Sequence, residues 1–150
     1  MNRATPTMRG FAKDLIDYET LRNKSSKADA LGDFLVVEKL RPHLANLMGI
    51  GGFRALLSRA VVLASAEVPW LGAVRAKADG TLEGFGGVYT QLDPAEFLEG
   101  KLVLLAQLIG LLVAFIGPNL TSRMVGEIWP KFHSPIWDSA SKEVEREKAK

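Results

Sequence analysis

The sequence predicts an all-α fold, a compact bundle of about five helices around two nearly all-apolar ones, and three observations predict it. Residues 102–116, LVLLAQLIGLLVAFI, are apolar on every side except at Gln107, and with the turn before them they form one helix over 95–116. Residues 53–68 are a second segment with little polar surface. Other stretches repeat apolar residues at steps of three and four, the spacing of one helix face. A helix apolar all round must be enclosed by protein or by lipid.

In chain order, residues 1–7 are expected to fray. Met8, Phe11, Leu15, Tyr18 and Leu21 then recur at steps of 3, 4, 3 and 3, so a one-sided surface helix follows. Asn23 to Lys27 is a polar connector, and Asp29 is placed to cap a second helix that starts at Ala30 and carries Leu31, Phe34, Leu35, Val37 and Leu40. Pro42 is expected to break or kink that helix near Leu40, because an interior proline removes a backbone hydrogen bond and crowds the preceding turn. A short helix over 42–48 then ends at Gly49, with Ile50-Gly51-Gly52 as the corner before the apolar helix 53–68, which Pro69 stops.

Residues 70–92 break the helical pattern. Asp79-Gly80 between 73–77 and 81–85 has the form of a short hairpin, and Gly84, Gly86 and Gly87 point to irregular chain beyond it. Asp93-Pro94-Ala95-Glu96 then supplies an N-cap carboxylate, a proline at the first helical position and an early glutamate, which start the central helix in the manner of a soluble protein. Gly117-Pro118 forces a new start, and Leu120, Met124, Ile128 and Trp129 give a last helix its apolar face. One helical domain is therefore expected over 1–130, followed by an aromatic and then charged tail over 131–150.

Lipid enclosure is possible but not favoured. Fifteen residues at about 1.5 Å each span roughly 22 Å, short of a hydrocarbon core of roughly 30 Å. Lys101 and Arg123 flank the run closely. A chain of 150 residues is long enough to bury its own core, and the absence of cysteine excludes disulfides and thiolate metal sites. The first residues carry no apolar run of signal-peptide length, so the expected location is the cytoplasm. Although the net charge is +2, 19 basic residues stand against 17 acidic ones with the signs interleaved, which is not a nucleic-acid footprint.

The chemistry-bearing residues form no constellation. Gly49-Ile50-Gly51-Gly52 has the glycines of a phosphate loop but no strand before it and no lysine-serine ending. His43 and His133 stand ninety positions apart, no serine sits in a nucleophile elbow, and Glu96 and Glu99 fit first-turn dipole partners better than an acid/base pair. No catalytic residue, metal ligand or cofactor is assigned, and the reading is non-enzymatic.

What remains is an excess of apolar helix over what short, proline-broken neighbours can cover. A homo-oligomer or a protein partner is therefore expected, reached through apolar helix surface and the C-terminal aromatic segment. Gln107, Phe132, Ile136 and Trp137 are the candidate interface residues: the amide as a device that fixes register, the aromatic and aliphatic side chains as anchors. The alternatives are a helical hairpin that inserts conditionally into a membrane, and a bundle that holds an apolar small molecule.

Overall fold

A computed structural model describes residues 6–22, 35–80, 82–84 and 92–132. Within them the chain is mostly helical: α1 (Pro6–Arg22), α2 (Leu35–Glu67), α3 (Pro94–Ile116) and α4 (Pro118–Ile128). A 3₁₀ turn, Pro69–Ala73, leads from α2 into a two-stranded antiparallel hairpin, β1 (Arg75–Ala76) and β2 (Leu82–Glu83). Residues 23–34, 81, 85–91 and the tail from 133 lie outside the described residues. So do the Ala30 helix start with its Asp29 cap and the interface candidates Ile136 and Trp137.

The all-apolar segment is the central helix. α3 packs against both α1 and α2, and every residue from 101 to 109 is buried. Its start follows from local chemistry: the Asp93 carboxylate accepts from the Ala95 amide at 3.4 Å, in front of Pro94 and Glu96. Each leucine fully buried here contributes about 1.5–3 kcal/mol. The enclosure ends before the helix does. Ala114 and Phe115 are exposed, because α1 packs beside the earlier turns and α4, at 11 residues, is too short to sheathe the remainder.

The helix count departs from expectation at Pro42, which neither breaks nor ends its helix. Pro42 is exposed, so the carbonyl one turn back faces solvent, while buried Leu40 and Leu44 hold the helix across it. The pieces expected as separate helices thus join into α2, and the sharp turn falls at Gly49 alone (φ 80°, ψ 155°). Arg41 and Phe53 would stand about 18 Å apart along a straight helix. Both instead lie within 3.2 Å of the point where a Gly80 Cβ would be, so the two arms of α2 fold toward each other under the hairpin turn.

Gly117, at φ 89° and ψ 159°, makes the same kind of corner between α3 and α4. This backbone region is essentially reserved for glycine. No atom lies within 4 Å of a Cβ built at Gly49, so Gly49→Ala isolates the conformational cost. It is expected to lower stability by about 1–3 kcal/mol, read as a lower denaturation midpoint at unchanged m-value.

The hairpin forms where the Asp79-Gly80 dipeptide predicts it. Arg75 pairs with Glu83 and Ala76 with Leu82, and the Gly80 amide donates to the Lys77 carbonyl at 2.9 Å. Of the face expected on the last helix, Met124 and Trp129 are buried. Leu120 is exposed, and Thr121 and Val125 take the inner positions.

Candidate functional site

Two polar clusters cross the apolar interior. At one end Glu67, the last residue of α2, accepts from Gln107 Nε2 at 2.9 Å and from Arg9 Nη1 at 3.4 Å, and Arg9 also pairs with Glu99. Gln107, buried, thereby has a partner on α2 inside the chain. At the other end buried Glu19 accepts from Lys39 and from the indole N–H of Trp129, tying α1, the start of α2 and the end of α4 together. These clusters are clamps whose carboxylates are engaged by neighbouring donors, the first reaching the surface at Arg9 and Glu99.

A third arrangement sits where the 3₁₀ turn meets α3. Trp70 stacks on Phe97 with ring centroids 5.6 Å apart and donates to the Glu96 carbonyl at 3.3 Å. Gly100 makes this possible, since a Cβ there would lie 2.1 Å from Trp70 Cζ2. Lys101, which flanks the apolar run, is buried, with Nζ 5.3 Å from the Phe97 ring centroid.

The outer surface carries a different feature. Met48, Gly52, Ala55, Leu56 and Arg59 of α2 face Leu111, Ala114 and Phe115 of α3 across an open apolar groove of about 510 Å³. Phe115 stands on its wall with 71% of its surface exposed. Along α2 beyond the Gly49 corner the positions 52, 55 and 59 continue at the same alternation of three and four to Val62, 67% exposed, and Ala66. This spacing places them on one face of the helix.

Of the interface candidates named from sequence, Phe132 packs edge-on against Phe11 and Tyr18 of α1, at 5.8 and 5.3 Å between centroids, and so covers the chain's own core. Phe115 was missed. Its place in an unbroken apolar run carries no sign of which turn escapes cover. Of the glycines at 49–52 Gly49 alone forms the α2 corner, no strand precedes them, and His43 is exposed. Among the described residues no three histidine, aspartate or glutamate side chains gather as a metal site would require.

Two helices, Val36–Glu67 and Ala95–Ile116, are long and apolar enough to cross a membrane by length and composition. They differ in cover: 61% of the most apolar window of the second is buried, against 28% for the first. The fold and the site together define a helical bundle with an open apolar groove between α2 and α3. Comparison finds no matching family model, no matching curated protein and no matching solved structure.

Proposed function

We propose that this protein is a non-enzymatic helix-docking module, which receives a helix of a second polypeptide in the groove between α2 and α3. The observation that carries the reading is Phe115, a large ring held in solvent on the wall of an apolar groove. Exposed apolar patches rimmed by polar residues mark interaction surfaces, and aromatic anchors dominate their energetics. The seam on the opposite wall supports the same reading, because steps of three and four are what a partner helix needs. A discrete homo-oligomer and a complex with another protein are both forms of it.

The test combines molar mass by light scattering with a photo-reactive residue at Ala55. A discrete oligomer that Phe115→Asp dissolves supports the reading. So does a monomer whose residue 55 cross-links to one identified protein and loses that link with Phe115→Asp. Loss of an aromatic anchor is expected to weaken binding at least thirtyfold, or about 2 kcal/mol, while thermal stability changes by less than about 0.5 kcal/mol. A monomer with no cross-link dependent on Phe115 overturns it.

The exposed apolar window of α2 favours a second reading, conditional insertion of α2 and α3 into a bilayer. Co-sedimentation with vesicles separates the two.

A further inference from the structure

We infer that the groove's occupant is an acidic amphipathic helix of a different protein, with a carboxylate placed opposite Arg59. The inference rests on the helix-docking reading and adds the chemistry of the partner. Both walls come from stretches that carry no carboxylate. Between Glu38 and Glu67 the sequence has Lys39, Arg41, Arg54 and Arg59 but no acid, and between Glu99 and Glu127 it has Lys101 and Arg123 but no acid. Lys39 and Arg41 are paired, with Glu19 and Glu38. Arg54, Arg59 and Arg123 have no ion-pair partner among the described residues, and all three are exposed.

Arg59 is the one of these that lines the groove itself, in the middle of the 52–66 seam. A charge at such a position selects its partner, since covering it with apolar surface alone strips its hydration without return, while a facing carboxylate restores the interaction. A second copy would bring the same cationic, acid-free walls, and like charges across an interface are unfavourable. A groove between two helices has the shape that a third helix laid along it fills. From Gly52 to Arg59 the wall runs about 10 Å, two turns of an occupant helix.

A display library of 21-residue helical peptides tests this, with apolar residues fixed at i, i+3, i+4 and i+7 and the other positions randomised. It is selected against the full chain and against its Arg59→Glu and Phe115→Asp variants, each first shown to melt cooperatively. The expected result is enrichment of aspartate or glutamate at one peptide position on the full chain and of lysine or arginine at that position on Arg59→Glu. The acidic peptides are expected to bind Arg59→Glu about tenfold more weakly. Enriched helices without a charge preference overturn the acidic partner and leave the docking reading standing. No enrichment above Phe115→Asp overturns both. A discrete dimer by light scattering that Arg59→Glu strengthens overturns the inference in favour of a second copy. Sedimentation with phosphatidylglycerol vesicles that requires Arg59 and Phe115 overturns it in favour of a membrane surface.

Discussion

Replacing Glu19 by alanine is expected to lower the unfolding free energy by about 2–4 kcal/mol, which for a chain of this size lowers Tm by roughly 5–15 °C. Glu19 is 3% exposed and accepts from both Lys39 and the indole N–H of buried Trp129. Alanine leaves that indole N–H without its acceptor, at about 1–3 kcal/mol, and opens a gap between α1, α2 and α4. The lysine contributes less. Its side chain is 41% exposed and recovers water when the carboxylate is gone. Glu19→Gln keeps an acceptor for Trp129 and is expected to cost about half as much. Urea denaturation of the two variants decides the matter: equal losses would place the effect in the charge, and losses below about 0.5 kcal/mol would show that Glu19 anchors nothing.

Gly100→Ala is expected to destabilise the protein by about 1–3 kcal/mol, against the sign that helix propensity predicts. In an exposed helix interior this exchange gains roughly 1 kcal/mol. Here the added carbon would meet Trp70 Cζ2 at 2.1 Å, inside any permitted contact, so the indole must leave its stack on Phe97 and its bond to the Glu96 carbonyl. The sign reverses when the ring is removed. In a Trp70→Ala background Gly100→Ala should become neutral or stabilising, and the double-mutant cycle should return a coupling above 1 kcal/mol. Additive losses would mean that the glycine serves the helix backbone rather than the indole.

The start of α3, the Gly117-Pro118 corner, the Asp79-Gly80 hairpin and the stop at Pro69 were all legible in the sequence. Each rests on interactions within a few residues: a carboxylate and the next amides, a proline ring and its own backbone, a glycine at positive φ. The continuity of α2 through Pro42 was not. The cost of a missing backbone bond depends on whether the freed carbonyl meets water or core, and neighbours from elsewhere in the chain set that.

The candidate site divides along the same line. Patterning determined that two helices carry more apolar surface than their short neighbours can cover, because hydropathy and its period are properties of residues in order. Which part stays uncovered was decided by the tertiary structure alone. α1 and the 3₁₀ turn lie beside the first turns of α3, α4 folds back after a single glycine, and the last turn is left open with Phe115 on the groove wall. Gln107, singled out as the polar residue of the run, was claimed by Glu67, forty positions earlier in the chain. Contacts at that separation are made by the fold, and a linear pattern holds no record of them.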